Sequence, residues 1–167
     1  MQDISPDWKG CTSAEYQVLN EILKYEATPY AIVLFAELQH KLGDYWYWFT
    51  LSTLWVSYSG YSDLGLWRKL FRSGRSRRKT SLMKPSELVA FDRLPANITA
   101  YRAHRPHETD WISYTLDKEL AERWMRQRSG YVMKYSLKKE NCLALFLRRG
   151  ESEILMLDAT NAKITGG

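Results

Sequence analysis

The sequence predicts an α+β protein, with helices in the first half and a small, mostly antiparallel sheet in the second. Apolar residues recur every three or four positions in the first half and alternate in short runs in the second, where one amphipathic helix interrupts them. With 167 residues, of which 45% are hydrophobic, the chain is expected to form one compact unit. This composition excludes collagen-like, low-complexity and wholly disordered proteins. Within the unit we predict a helical region over residues 1–92 and a β-rich core over residues 93–167.

Helices are predicted in the first region from apolar spacing and from helix-ending residues. The first predicted helix begins at Ser13. The other four cover Pro29 to Leu42, Tyr45 to Tyr58, Leu66 to Phe71 and Pro85 to Phe91. The third of these is dense in tryptophan, tyrosine and phenylalanine, which indicates a packed core. Residues 60–65, between the third and fourth helices, are predicted to form a loop.

The β-rich core is predicted from period-two alternation. A helix from Leu116 to Gln127 has acidic residues at its start, Asp117 and Glu119, and arginines near its end, Arg126 and Arg128, which suits the helix dipole. The predicted strands are Ile98 to Tyr101, Ile112 to Asp117 running into that helix, Tyr131 to Tyr135, Leu143 to Phe146 and Ile154 to Leu157.

The positive charge of the chain is concentrated in one segment. The net charge is +5, and the segment from Arg68 to Lys79 holds seven basic residues and no acidic one. We expect residues 72–80 to form an exposed, mobile loop. Such a loop can neutralise phosphates, so one functional alternative is a nucleic-acid-binding module. Its phosphate contacts would come from Arg68, Arg72, Arg75, Arg77 and Arg78.

Several classes of protein lack their sequence signals here. The N-terminus has no basic and apolar leader, and no apolar run approaches the roughly 20 residues of a membrane span, so we expect a cytoplasmic protein without membrane contact. Cys11 and Cys142 have no zinc-type spacing and are expected to be free thiols. His104 and His107 lie in a proline-containing segment, predicted to be a flexible loop, and no third ligand is nearby. We therefore expect no metal site.

Three short motifs follow one another in the β-rich core. They are Tyr101-Arg102 at a strand end, Ser113-Tyr114-Thr115 on a strand, and Glu151-Ser152-Glu153 at a turn that opens a strand. Together they resemble the mono-ADP-ribosyltransferases of the Arg-Ser-Glu class, in particular small bacterial and prophage members. The resemblance covers residues 94–157. It implies a split antiparallel β-sandwich of the ADP-ribosyltransferase type.

The resemblance also implies an activity. NAD would be the substrate, without a metal, and ADP-ribose would pass to a target protein, onto an arginine side chain, with release of nicotinamide. By analogy with prophage members, the target would belong to a bacterial host, and the basic segment would suit a nucleic-acid-associated target. The same residues would also serve an NAD glycohydrolase, in which water replaces the acceptor.

The nucleotide-binding residues implied by the resemblance come from the first two motifs. Arg102, preceded by the aromatic Tyr101, would bind the pyrophosphate of NAD, because a guanidinium makes paired charge-assisted hydrogen bonds to phosphate. Ser113 would bond the nicotinamide ribose and hold the catalytic glutamate. Thr115 lies two residues farther along, so its hydroxyl is expected on the same strand face.

The catalytic residues implied by the resemblance come from the third motif. Glu153 would stabilise the oxocarbenium ion that develops as the nicotinamide bond breaks. Glu151, expected on the same strand face, would orient the acceptor arginine and accept its proton. The preceding turn, residues 146–150 with Arg148 and Arg149, would take part in acceptor recognition or be an ordinary charged turn.

Overall fold

The computed structural model describes residues 2–58, 60 and 62–166, and it has the predicted α+β architecture. The chain divides into two compact units between Ser86 and Glu87. The sequence predicts the change of region later, after residue 92, because residues Pro85 to Phe91 are predicted to be helical like the region before them. The buried carboxylate of Glu87 instead bonds Leu147 and Arg148 of the second unit.

The first unit is helical. Its helices are α1 (Ser13–Leu23), α2 (Tyr30–Leu38), α3 (Asp44–Ser57), α4 (Leu64–Phe71) and α5 (Arg78–Leu82), and α6 (Pro85–Asp92) spans the division. The predicted helix from Pro29 to Leu42 is interrupted, since α2 gives way to a 3-10 turn at Gln39–Lys41. The predicted loop over 60–65 is shorter than expected because α4 already begins at Leu64, and residue 61 lies outside the described residues.

The start of α1 is set by a capping box. Thr12 Oγ1 accepts a hydrogen bond from the Glu15 amide, and Glu15 Oε1 accepts one from the Thr12 amide, both at 3.1 Å. These bonds satisfy backbone donors that a helix N-terminus otherwise leaves unpaired. Glu15 Oε2 also accepts from the Gly43 amide at 2.9 Å, at the residue before α3. One side chain therefore joins the beginnings of two helices.

The aromatic residues of α3 form core, as predicted. Tyr47 and Trp48 are fully buried. Their polar atoms are satisfied by backbone carbonyls, since Tyr47 Oη donates to Leu70 at 2.7 Å and Trp48 Nε1 donates to Ser76 at 3.0 Å. Buried hydrogen bonds of this kind fix the orientation of large rings as well as their burial.

The basic segment is largely exposed, as predicted, but α5 begins within it and its arginines are anchored, contrary to the prediction of a mobile loop. Arg75 donates to the carbonyls of Leu42 at 2.6 Å and Gln39 at 2.8 Å, and its guanidinium lies 4.5 Å from the centre of the Tyr47 ring. Arg77 forms an ion pair with the buried Asp7. The prediction failed because arginine-rich composition does not reveal whether carbonyls and carboxylates elsewhere in the fold bind the guanidiniums.

The second unit contains one six-stranded antiparallel sheet. Its strands are β1 (Asn97–His104), β2 (Ser113–Thr115), β3 (Tyr131–Lys138), β4 (Ala144–Phe146), β5 (Glu153–Leu155) and β6 (Lys163–Ile164). Their order in the sheet is β4-β5-β2-β1-β3-β6. The last strand was not predicted, since two residues carry no periodicity. The helix α7 (Lys118–Arg128) follows β2 and begins after Asp117, whose carboxylate accepts from the Leu120 amide.

Among the described residues, the shortest ladder of the sheet lies between its two central strands. Within the described residues, β1 pairs with β3 from Asn97 to His104, whereas it pairs with β2 at the single position Tyr101–Thr115. The halves β4-β5-β2 and β1-β3-β6 are therefore joined by a short ladder.

Two further predictions concern membrane-spanning helices and the two cysteines. In the part of the chain that is described, none of the helices combines the length and apolar character needed to cross a membrane. Cys11 and Cys142 are both free thiols, as predicted. Burial raises the pKa of the Cys142 thiol to about 11.

Candidate functional site

The structure brings the serine of the second motif onto the second glutamate of the third. Ser113 Oγ donates a hydrogen bond of 2.5 Å to Glu153 Oε2. The contact is possible because β2 and β5 are adjacent and antiparallel, with Thr115 opposite Glu153 and Ser113 opposite Leu155. Both side chains are half-buried. A carboxylate held by a short hydroxyl bond in this setting is oriented before any ligand arrives.

Arg102 reaches the same strand from the neighbouring β1. Its Nη1 donates to the backbone carbonyl of Ser113 at 3.0 Å. Its Nε and Nη2 donate to the two carboxylate oxygens of Glu108, which forms a two-point ion pair with the guanidinium. Tyr101 pairs with Thr115, so Arg102 leaves β1 on the opposite face from the side chains of Ser113 and Glu153. It therefore contacts the serine's backbone.

A buried chain of hydrogen bonds continues from Arg102 through Glu108. His104 Nδ1 lies 2.7 Å from Glu108 Oε2, and His104 Nε2 lies 2.6 Å from the hydroxyl of Tyr135 on β3. Burial acts to raise the pKa of Glu108, but the hydrogen bonds from His104 and Arg102 outweigh burial and lower that pKa to about 2. Glu108 is therefore a carboxylate at neutral pH and keeps the guanidinium in place.

The prediction that His104 lies on a flexible loop was wrong. His104 is the last residue of β1 and is 1% exposed. Its ring is enclosed by Trp111, edge-on at 4.4 Å, and by Tyr131, stacked at 5.1 Å. His107 is exposed on the turn that follows, with φ of 62°. The two histidines therefore have unrelated surroundings, although their spacing is that of a metal-ligand pair.

The hydroxyl of Thr115 is used inside the protein. It donates to the carbonyl of Glu151 at 2.6 Å and accepts from the amide of Asp117 at 3.0 Å. With 1% exposure, this side chain joins the end of β2 to the turn before β5. Thr115 lies on the same strand face as Ser113, as expected. Its contacts hold the end of β2 and the turn before β5 together beside the site.

Glu151 does not share a strand with Glu153, contrary to the period-two prediction. β5 begins at Glu153, and Glu151 belongs to the preceding turn. Ser152 has φ of 43° and Gly150 has φ of 69°, so the backbone on both sides of Glu151 is in the left-handed region. Side chains alternate between the two faces of a strand only where the backbone is extended. The spacing of two residues therefore did not predict the direction of the Glu151 side chain.

The two arginines of the turn have different partners. Arg148 is 12% exposed and forms an ion pair of 3.0 Å with the buried Glu87. Arg149 is 40% exposed and lies 3.4 Å from Oε1 of Glu151, which is itself 24% exposed. Of the two alternatives left open for this turn, the ordinary charged turn describes Arg148, whose guanidinium holds the turn to α6.

Further positive charge surrounds Arg102. Arg128 ends α7, and its guanidinium lies 5.3 Å from the centre of the Trp124 ring. Burial lowers the pKa of Arg128, and the positive charges of Arg105 and Arg102 lower it further. The carboxylates of Glu151 and Glu108 act in the opposite direction on Arg128. Guanidiniums close enough to interact in this way form a region suited to a polyanionic group.

Chemically, the site offers an oriented carboxylate, a hydroxyl and a cluster of guanidiniums. Within residues 2–58, 60 and 62–166, no three His, Cys, Asp or Glu side chains are grouped to hold a metal ion. Sequence reasoning missed Glu108 and Tyr135. The acidic residue six positions after Arg102 was a weak signal for the first, and no signal pointed to the second.

We compared the chain with protein-family models, with curated proteins and with solved structures, and none of them matches.

Proposed function

We propose that the protein is a mono-ADP-ribosyltransferase that transfers ADP-ribose from NAD to an arginine side chain of a target protein. The observation that carries this proposal is the 2.5 Å hydrogen bond between Ser113 and Glu153. It joins the serine and glutamate motifs across adjacent strands. A site that presents a carboxylate to the nicotinamide ribose requires these two motifs to lie side by side. Arg102, from the first motif, lies one strand away and bonds the same serine.

The sheet supports the finer fold assignment. A split β-sandwich has two separate groups of strands, whereas all six strands here belong to one sheet. The short ladder between β1 and β2, at Tyr101 and Thr115, is consistent with such a division. We therefore propose the ADP-ribosyltransferase-type fold for the second unit.

The charge near Arg102 supports the binding of NAD. Three N–H groups of Arg102 are used by Glu108 and Ser113, and its planar guanidinium carries further donors on Nη1 and Nη2. Arg105 and Arg128 add positive charge nearby. These groups would attract the pyrophosphate of NAD, and Arg102 would bond it directly. Because Arg102 and Glu153 leave the sheet on opposite faces, NAD would have to bridge both faces at the short ladder between β1 and β2.

The reaction would break the bond between C1′ of the ribose and the nicotinamide nitrogen. Nicotinamide leaves with the bonding electron pair, and positive charge develops on the ribose. Glu153, fixed by Ser113, stabilises that charge, which is present in the transition state and not in NAD bound at rest. Glu151 orients the acceptor guanidinium and takes its proton as the new bond to C1′ forms.

The test uses the full chain with NAD labelled in the adenylate moiety. Nicotinamide release and label incorporation into protein are measured in parallel, with a bacterial lysate as the source of acceptors. We expect Glu153→Gln to lower both by at least about a hundredfold, in the range seen when one group that stabilises transition-state charge is removed. Glu140→Gln, which changes an exposed glutamate of the same unit, is the matched control and should keep both activities.

The outcomes separate the alternatives. Nicotinamide release without labelled macromolecules would identify an NAD glycohydrolase. A folded chain that consumes no NAD but binds DNA or RNA, with an affinity that falls steeply as salt rises, would contradict the enzymatic proposal and favour a nucleic-acid-binding module.

A further inference from the structure

The first unit gathers three exposed cations at the end of α4. Lys69 and Arg72 are three residues apart, so they lie on the same side of the last turn of this helix. Arg78 comes from the next helix, and its Nη1 donates to the carbonyl of Phe71 at 3.2 Å. The fold therefore brings Arg78 back to the position that Lys69 and Arg72 already occupy. We call these three side chains the basic surface.

The basic surface has a rigid support. Tyr47 Oη donates to the carbonyl of Leu70 at 2.7 Å, and Trp48 Nε1 donates to the carbonyl of Ser76 at 3.0 Å, so α3 holds the turn between α4 and α5 at two points. Both donors belong to buried rings. The backbone that carries the cations is therefore ordered before a partner arrives, which reduces the entropy lost on binding.

The charge of the basic surface is left for a partner. Over the described part of the chain, no carboxylate forms an ion pair with any of its three cations, whereas Arg75 and Arg77 of the same segment are each paired with an aspartate. The rest of the first unit is acidic, since residues 1–86 hold four basic and eight acidic residues outside the segment from 68 to 79. A polyanion is therefore attracted to this surface and repelled by its surroundings.

The neighbouring residues favour phosphate groups over an acidic protein surface. The apolar residues of the basic segment, Leu70 and Phe71, are buried, so the segment offers none of the apolar anchors that protein interfaces place at their centre. Gly74 is open to solvent, and no atom lies within 4 Å of the position that a Cβ would take there. Phosphates can therefore approach backbone as well as guanidiniums, and both kinds of contact are common with nucleic acids.

We propose that the basic surface binds the phosphate backbone of double-stranded nucleic acid, without preference for base sequence. The inference goes beyond the proposed function and does not depend on it. A duplex is favoured over a single strand because the basic segment exposes no aromatic ring on which unpaired bases could stack. Three phosphate contacts should give a logarithmic salt dependence of the association constant with a slope of about −3.

The experiment measures binding of the full chain to a fluorescent DNA duplex of mixed sequence by anisotropy, in the absence of NAD. The association constant should fall about fortyfold between about 50 mM and 200 mM salt. A variant that combines Lys69→Gln, Arg72→Gln and Arg78→Gln should bind at least about tenfold more weakly at the lower salt concentration, with a slope close to zero. Circular dichroism checks that the variant is folded.

The matched control removes the same charge from exposed positions elsewhere in the first unit. A variant that combines Lys9→Gln, Lys24→Gln and Lys41→Gln should bind the duplex within about twofold of the natural chain. Equal weakening by the two variants would overturn the proposal, because net charge rather than this surface would then account for binding.

Three other results would also overturn the proposal. They are no binding at the lower salt concentration, tighter binding of the corresponding single strand, and equally effective competition by polyglutamate at the same concentration of charge. The assay contains no NAD, so a negative result leaves the proposed function standing. Conversely, a chain that cleaves no NAD but passes this test leaves the inference standing.

Discussion

The hydroxyl of Ser113 and the carboxylate of Glu153 meet at 2.5 Å, although 40 residues separate them in sequence. The pairing of β2 with β5 makes this contact, and the antiparallel register sets which side chains can meet. The contact is a property of the resting protein. Ser113 is therefore expected to act by holding Glu153 as well as by binding a ligand.

Replacing Ser113 with alanine should reduce turnover more than stability. The hydrogen bond from the Ser113 hydroxyl should contribute about 1 kcal/mol to the free energy of unfolding, because Ser113 is half-buried and water can solvate Glu153 once the hydroxyl is removed. Catalysis depends on the orientation of the carboxylate, so kcat for nicotinamide release should fall by about tenfold to a hundredfold. Steady-state kinetics and chemical unfolding of the same preparations measure the two effects.

Thr115 provides the contrast on the same strand. Its hydroxyl is buried and has two partners in the backbone, so Thr115→Val should lower the free energy of unfolding by about 2 kcal/mol. If Ser113→Ala lost stability and kept its turnover, the assignment of Ser113 to the site would be wrong.

Replacing Glu108 with glutamine should weaken NAD binding. The two-point ion pair with Arg102 would be lost, and the guanidinium would no longer be held against Ser113. We expect KM for NAD to rise by about tenfold while kcat changes less, because the proposed role of Arg102 is to bind the pyrophosphate and not the reacting bond. Tyr135→Phe, which removes the hydroxyl at the far end of the hydrogen-bond chain, should have a smaller effect in the same direction. Unchanged kinetics in a folded Glu108→Gln protein would contradict this role.

The Glu108 ion pair should also make the free energy of unfolding depend on pH. The folded protein lowers the pKa of this carboxyl from 4.5 to about 2, so the unfolded chain binds the proton first as pH falls. The contribution of Glu108 is complete above about pH 4.5 and is lost as pH drops toward 2. It should be on the order of 2 kcal/mol, after allowance for screening by water.

Urea unfolding of the natural chain and of Glu108→Gln checks this dependence. The difference between their unfolding free energies should be largest near neutral pH and should shrink progressively below about pH 4.5. A constant difference over this range would show that the ionised carboxylate is not the stabilising species.

Arg75 should contribute to stability rather than to binding by the basic segment. Its guanidinium bonds the carbonyls of Gln39 and Leu42 and stacks on Tyr47, so Arg75→Ala should cost about 2–3 kcal/mol. Lys69→Ala, which removes an equal charge from an exposed position of α4, should change stability by less than about 0.5 kcal/mol. Thermal unfolding of both variants decides the matter, and equal effects would contradict the anchoring of Arg75.

Local signals in the sequence predicted most of the elements. Period-two alternation located β1, β3, β4 and β5, and three-to-four spacing located α1, α3 and α7, since these patterns reflect which side of each element is buried. Where the pattern was short or interrupted, as at α5 and β6, prediction failed. The order of the three motifs was also visible in the chain, but the turn backbone at Ser152 was not.

The sequence by itself determined the α+β class, the sites of the main helices and strands, and the residue types available for chemistry, because each of these depends on neighbours within a few positions. The tertiary structure alone decided which charges meet. Arg102 pairs with Glu108, Arg148 with Glu87, and Arg149 with Glu151. An ion pair depends on separations of a few ångströms and on the water left around the two groups, and both are set when the strands and turns pack together.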